Sequence, residues 1–128
     1  MPNQEQMQDR LDTYLAACDK GDIETALECF AEDATFEDPV GTPPHMGRAG
    51  VREFYEQSFQ LIDGILFDVE DVIFCGNDVV MISNFNARLR DGGGTVKNHG
   101  VHNIVFNDDS LFQDVRVWWM HERLVVED

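Results

Sequence analysis

Gly64-Ile65-Leu66-Phe67-Asp68-Val69-Glu70-Asp71-Val72-Ile73-Phe74 is the stretch where the hydrophobic period of this 128-residue chain changes. Ile65, Phe67 and Val69 alternate with Leu66, Asp68 and Glu70, the two-residue period of a strand with one buried face. Val72 and Phe74 continue out of phase, and a slip of one residue near Glu70-Asp71 predicts a β-bulge that bends the strand. Downstream the period stays at two. Val79, Met81, Ser83, Phe85, Ala87 and Leu89 form one face of a long strand, Thr95 to Phe106 the next, and about Leu111 to His121 the last. Gly76-Asn77-Asp78, Asp91-Gly92-Gly93-Gly94 and Asn107-Asp108-Asp109-Ser110 supply the turns between them.

Upstream the period is helical. Asn3 and Gln6 form a reciprocal N-terminal cap for a helix through about Asp19, with Met7, Leu11, Tyr14, Leu15 and Cys18 on one face. Tyr14 on that buried face needs a hydrogen-bond partner for its hydroxyl. Gly21 stops the helix and Asp22 caps a short second one carrying Ile23, Ala26, Leu27 and Phe30 inward. A third helix opens between Gly47 and Gly50 and shows Val51, Phe54, Tyr55, Phe59 and Ile62 on its apolar side. Helices followed by a meander of long strands give an α+β fold over a single domain, residues 1–128. A strongly curved mixed or antiparallel sheet wraps around the N-terminal helices as a cone-shaped barrel, and its concave side is a natural small-molecule pocket.

Composition narrows the partners. Nine Lys and Arg against 25 Asp and Glu leave a formal net charge of −16, which repels nucleic acid and anionic membrane. Cys18, Cys29 and Cys75 contain no Cys-x-x-Cys pair and sit among apolar residues, so all three read as buried thiols in a reducing compartment. With no signal peptide and no apolar run of bilayer length, the expected location is cytoplasmic.

Between the second and third helices runs Phe36-Glu37-Asp38-Pro39-Val40-Gly41-Thr42-Pro43-Pro44-His45-Met46-Gly47-Arg48, with three of the chain's four prolines. Such φ restriction makes a stiff connection. Phe36, Asp38 and Val40 share one parity and are expected to point inward together, which makes Asp38 a candidate general base. Asp-Pro also opens plain turns, and the loop alone leaves both readings standing.

In the strand from Thr95 to Phe106, Gly100, His102, Ile104 and Phe106 share the apolar side, so His102 is expected inside. His99 falls on the opposite side, and the two histidines therefore do not converge on one metal ion. His45 and His121 read as surface residues. In the last strand Val115, Val117 and Trp119 share the core face, and the Trp119 indole N–H needs an acceptor. The three consecutive glycines lie in a hairpin turn, not in a phosphate loop after a strand.

Taken together, Tyr14, Gly21-Asp22-Ile23-Glu24, Ala31-Glu32-Asp33-Ala34-Thr35, the Glu-Asp-Pro-x-Gly-x-Pro-Pro loop from Glu37, Phe54-Tyr55 and Trp119 resemble the ketosteroid isomerases of the nuclear-transport-factor-2-like, SnoaL-like superfamily. The resemblance spans nearly the whole chain, and the loop is its most specific part. It implies that Asp38 is the general base, Tyr14 the oxyanion-hole tyrosine, Tyr55 its hydrogen-bond partner and Trp119 the indole beside the base. Three positions depart from the family. His45-Met46 reverses the family's order of an apolar residue then His, and Phe30 replaces a further tyrosine. His102 stands where the family keeps an aspartic acid protonated in an apolar site so that it donates a hydrogen bond.

The activity this implies is a cofactor-independent shift of a C=C bond into conjugation by proton transfer α to a ketone, with Asp38, Tyr14 and His102 catalytic. A neutral imidazole carries one N–H and can serve as the replacement donor. The alternatives are a dehydratase or polyketide-cyclase-like enzyme using Asp38 and His102, and a non-catalytic binding protein on the same fold. Phe54, Phe85, Met81 and Val115, with Phe59 and Phe67, are the candidates to line a pocket for a flat hydrophobic or steroid-like ketone; plain core is the default for any one of them. The resemblance further implies a homodimer, paired through an outer sheet face holding Val80, Ile82, Val101, Val105 and Trp118 among Asn84, Asn86 and Arg88.

Overall fold

The computed structural model of the chain describes residues 2–128. Helix α1, Gln4–Lys20, begins at Asn3 with the reciprocal cap, Asn3 and Gln6 each accepting from the other's backbone N–H. It ends at Gly21, whose φ of 70° is the left-handed conformation that glycine adopts without a Cβ penalty. Met7, Leu11, Tyr14, Ala17 and Cys18 form its buried face. Asp22 caps α2, Ile23–Glu28. Phe30 lies outside that helix as the first residue of strand β1, Phe30–Glu37, although it is fully buried as expected. Strand β2 is only His45–Met46, and α3 spans Gly47–Leu61.

The strands that follow are long. β3 covers Ile62–Cys75, β4 Asp78–Leu89, β5 Thr95–Phe106, β6 Phe112–Trp119 and β7 Val125–Glu127. Ile62, placed on the helix by its periodicity, is the first strand residue instead, with extended φ and ψ of −125° and 158°. Branching at Cβ favours that conformation. The last strand stops two residues earlier than its pattern suggests. The chain then makes a 3-10 turn at His121–Arg123 and returns as β7. Three residues are too few to show a period, so the sequence gives β7 no signal.

The sheet runs β2-β1-β6-β5-β4-β3, and β7 pairs with β5 beyond the end of β6. All pairs are antiparallel except β1 with β6, so the sheet is mixed. The bulge falls where the phase slips: the β3–β4 register shifts between Val69 and Asp71. This bend lets the sheet close around α1 and α3. Gly64 is where α1 comes nearest, since a Cβ there would lie 2.3 Å from the Asp19 carbonyl oxygen and 2.0 Å from Arg88 Nη2. Arg88 fastens the same corner through Asp19 and Asp63, 2.7 and 3.0 Å away.

The core lies between α1, α3 and the concave face, built on Phe30, Phe36, Phe106 and Phe112 with Leu11, Leu27 and Met81. Each such side chain stabilises the fold by about 1.5–3 kcal/mol on burial. Of the cysteines, Cys18 and Cys29 are buried, but Cys75 is exposed. It shares the parity of Ile73, on the convex side of β3, so the apolar neighbours that suggested burial face the other way. Among the described residues, no helix is long and apolar enough to cross a membrane.

Candidate functional site

A cavity of about 270 Å³ opens inside the cone, near the lower limit for small-molecule sites. Its walls are apolar: Phe54 from α3, Ile62, Ile65 and Phe67 from β3, Phe85 and Ala87 from β4, and Val117 from β6. Four ionisable or phenolic side chains reach it, Asp38, Tyr14, Tyr55 and His102, joined by the Trp119 indole and Ser58.

Asp38 follows the last residue of β1, at the start of the proline-rich loop, and the Asp38–Pro39 peptide is cis. The loop is tied down on both flanks. Val40 N–H donates to the Val117 carbonyl at 2.8 Å, and the Thr42 hydroxyl donates to the Pro39 carbonyl at 2.7 Å. Glu37 accepts from Gly41 N–H at 2.8 Å and from Arg116 Nε at 3.0 Å. Because neighbouring residues of extended chain point to opposite sides, fixing Glu37 outward fixes Asp38 inward. There Trp119 Nε1–H donates to Asp38 Oδ1 at 2.7 Å. Burial raises the carboxyl to about 6, and the indole hydrogen bond holds it back from going further.

Tyr14 from α1 and Tyr55 from α3 meet hydroxyl to hydroxyl in a short hydrogen bond. Burial pushes both phenols well above their ordinary range, so both remain protonated. If Tyr55 donates to Tyr14, the Tyr14 proton is free for a group in the cavity. Phe30 stands edge-on to Tyr14 at 5.7 Å and adds no hydroxyl to the pair. Cys18, one helical turn beyond Tyr14, lies against both hydroxyls instead. Burial pushes its thiol up to about 12 despite hydrogen bonds from the two tyrosines. From its helical spacing alone Cys18 reads only as a buried hydrophobe.

His102 is 4% exposed, and its ring meets Phe67 edge-on at 5.3 Å. Burial alone lowers its pKa to about 4, so the imidazole is neutral. Its Nδ1 is buried without a hydrogen-bond partner among the described residues. His99 is exposed on the other face of β5, bonded to Asn84 at 2.9 Å, as the strand parity requires. His45 is half-buried in β2, with its ring 4.9 Å from Phe54, and so is not the plain surface residue its loop position suggested. His121 is exposed.

The structure thus brings Asp38, Tyr14, His102, Tyr55, Trp119, Phe54 and Phe85 to one cavity. Met81 and Val115 are not among its walls. Both are essentially inaccessible core, deeper along β4 and β6 than the cavity floor. Phe59 is likewise core, whereas Phe67 is a wall residue. Ile65 and Val117 share the strand parities of Phe67 and Trp119, and that signal was sufficient to find them. Ser58, one turn past Phe54, had none.

The match to a protein-family model decides the lineage: the SnoaL-like domain model covers residues 11–113. The chain belongs to the SnoaL-like domain family. Its cone fold is the nuclear-transport-factor-2-like one. Among solved structures it is similar to SalBIII, described as an epoxide hydrolase/cyclase-like enzyme in pyran ring formation in the polyether salinomycin. That match has a TM-score of 0.87 and 22% sequence identity over 99% of this chain and 100% of SalBIII. The SnoaL-like cavity described above is therefore in the concave face of a shared fold.

Proposed function

We propose that this SnoaL-like domain is a cofactor-independent isomerase of the ketosteroid isomerase type, acting on a flat hydrophobic ketone. The observation that carries this reading is one apolar cavity holding a desolvated carboxylate beside uncharged donors: Asp38 at about 6, protonated Tyr14 and neutral His102. A base with a pKa near the working pH is both sufficiently ionised and a useful proton acceptor.

Asp38 removes the proton α to the ketone of a β,γ-unsaturated substrate. The C–H electron pair delocalises into a dienolate, whose oxygen accepts hydrogen bonds from Tyr14 and His102. The Asp38 carboxylic acid then returns the proton to the γ carbon, and the double bond ends in conjugation. Neither donor has to gain or lose a charge. Each fixed donor of this kind is worth about two to three decades in rate. A protonated imidazole would pair with Asp38 and quench the base, so the lowered pKa of His102 suits the donor role.

A second reading, a dehydratase or cyclase using Asp38 with His102 as acid or base, is favoured by the unpartnered His102 nitrogen. An imidazole with a pKa of about 4 is a poor proton store at neutral pH, which ranks this reading lower. The test is conversion of 5-androstene-3,17-dione to its conjugated isomer, followed by ultraviolet absorbance, with Asp38→Asn as control. Turnover by the wild type but not the variant is the expected result. No turnover by either folded protein rejects the isomerase. Dehydration of a hydroxy-ketone would then support the second reading, and tight binding of a planar phenol without turnover a pure binding protein.

The exposed Trp118, with the Arg116 guanidinium 5.0 Å above its ring, lies on a convex face that also holds Val80 and Val101. A homodimer through this face is part of the same proposal. Sedimentation equilibrium should give twice the chain mass of 14.6 kDa, and a monomer at micromolar concentration removes that part.

A further inference from the structure

Every polar side chain of the cavity but one has a part in the chemistry above. Asp38, Tyr14 and His102 act on the substrate, the Tyr55 hydroxyl bonds to Tyr14, and the Trp119 N–H donates to Asp38. Ser58 has none, yet it lines the same space. On α3 it belongs to a stripe at four-residue spacing, Phe54, Ser58 and then Ile62 at the helix end, and all three are half-buried cavity residues. The neighbouring stripe, Val51, Tyr55 and Phe59, is buried. Exposure thus divides the lining. Tyr14, Tyr55, His102 and Val117 form the closed end, and Phe54, Ser58, Ile62 and Ile65 border the opening. A ketone oxygen held by Tyr14 and His102 leaves the rest of the molecule to run toward that opening, past a stripe on α3 that is apolar but for the Ser58 hydroxyl.

The direction of one hydrogen bond decides what that hydroxyl offers. Ser58 Oγ lies 2.9 Å from the Phe54 carbonyl oxygen. A carbonyl can only accept, so the serine proton is on that bond and Oγ has only lone pairs left for the cavity. Such a bond back to the carbonyl four residues earlier is common for a helical serine. Here it turns a wall residue into an acceptor without a donor. A ligand hydroxyl that meets it completes a hydrogen bond. A ketone oxygen in the same place must stay unpaired or draw the serine proton away from Phe54. We infer that Ser58 is a specificity-determining residue: it accepts a hydrogen bond from a hydroxyl at the end of the substrate remote from the reacting carbonyl, so the preferred substrates are hydroxy-ketones rather than diketones. The assignment of the two ends rests on the isomerase reading, which puts the ketone on Tyr14 and His102; the acceptor character of Ser58 does not.

The test compares 5-androstene-3,17-dione with its 17β-hydroxy counterpart, which differs only in a hydroxyl for the ketone on the five-membered ring. In the wild type the hydroxy-ketone should have the higher kcat/KM by about threefold to tenfold, carried by KM. Ser58→Ala, which favours the helix and removes only the hydroxyl oxygen, should bring the ratio of the two to about one. The same pair without the C=C bond cannot react, and its binding is read from quenching of the Trp119 indole in the cavity wall. It should show the same preference in Kd and the same loss in Ser58→Ala. A ratio near one in the wild type, or a preference that survives in Ser58→Ala, overturns the inference. A binding preference that Ser58→Ala abolishes, with no turnover of either substrate, keeps Ser58 as the reader of the hydroxyl and rejects the isomerase. Turnover of both substrates with equal kcat/KM does the reverse, and binding of neither steroid rejects both.

Discussion

Asp38 and His102 reach one cavity from opposite kinds of support. Asp38 stands on a loop fixed by its own hydrogen bonds and has a partner, the Trp119 N–H at 2.7 Å. His102 stands in the middle of β5, held by the strand register, with Nδ1 unpartnered among the described residues. Burial drives both toward the uncharged form, the carboxyl up to about 6 and the imidazole down to about 4. The difference is the charge each would carry: desolvation lifts the carboxylic acid to about 6 and drops the imidazole base to about 4. It leaves Asp38 able to lose and regain a proton near neutral pH, while His102 stays neutral throughout. A site that separates a proton acceptor from a fixed donor needs no more than this asymmetry.

Removing the acceptor has the largest expected effect. Asp38→Asn should lower turnover of the ketone by about 10²–10⁴-fold, the usual contribution of a positioned base. Next comes the substitution that makes Asp38 resemble His102. Trp119→Phe keeps a ring against the carboxyl but deletes the indole donor, so the Asp38 pKa should rise above about 6. The acid limb of the pH–rate profile should move to higher pH with it, at a cost of about tenfold at fixed pH for each unit moved. An acid limb unchanged in Trp119→Phe would mean that the indole bond does not govern the base.

The same pair makes opposed contributions to stability. Asp38 has a folded pKa above its unfolded value of 3.8. Folding is therefore penalised progressively as pH rises from about 4 through about 6, by about 3 kcal/mol once the carboxyl ionises. His102 has a folded pKa below its unfolded value of 6.5. Its penalty grows as pH falls from about 6.5 toward 4, to a similar total. Between about pH 4 and 6 the two slopes cancel. Asp38→Asn should expose a stability that rises with pH at about 1.4 kcal/mol per unit, and His102→Phe one that falls at the same rate. Urea unfolding at several pH values in that window measures both slopes. Parallel curves for the two variants would refute the opposition.

How far the sequence revealed this arrangement differs between its two halves. The parity of β5 placed His102 inside and His99 outside, because a strand with period two and an apolar face permits no other assignment. The phase slip at Glu70-Asp71 marked the bulge for the same reason. Asp38 was legible from its parity with Phe36 and from the loop resemblance, but not the Glu37 contacts with Gly41 and Arg116 that aim it. The Arg116 contact depends on β6 lying parallel to β1, a long-range pairing that leaves no local pattern. Met81 and Val115 were misplaced because parity gives the face of a strand but not the depth along it. Cys18 was invisible for a different cause: a small polar atom on an apolar stripe looks like packing until its neighbours are known.

The smallest expected effect tests the loop, where two adjacent carboxyls are shifted in opposite senses. Asp38 is raised by burial. Glu37 is lowered, first by the Gly41 N–H and then by Arg116. A depressed carboxylate stabilises the fold above its unfolded pKa and loses that contribution as pH falls through the folded one. Glu37→Gln should thus lower the melting temperature at neutral pH, and the deficit should fade in acid. Asp38→Asn should raise it at neutral pH, and by more, because its carboxylate is the desolvated one. Activity of Glu37→Gln should fall less than that of Trp119→Phe, since Val40 and Thr42 still anchor the loop. Melting curves at pH 4 and pH 7 decide the matter: a Glu37→Gln deficit equal at both would assign its role to shape rather than charge, and the loop would hold Asp38 inward through its backbone alone.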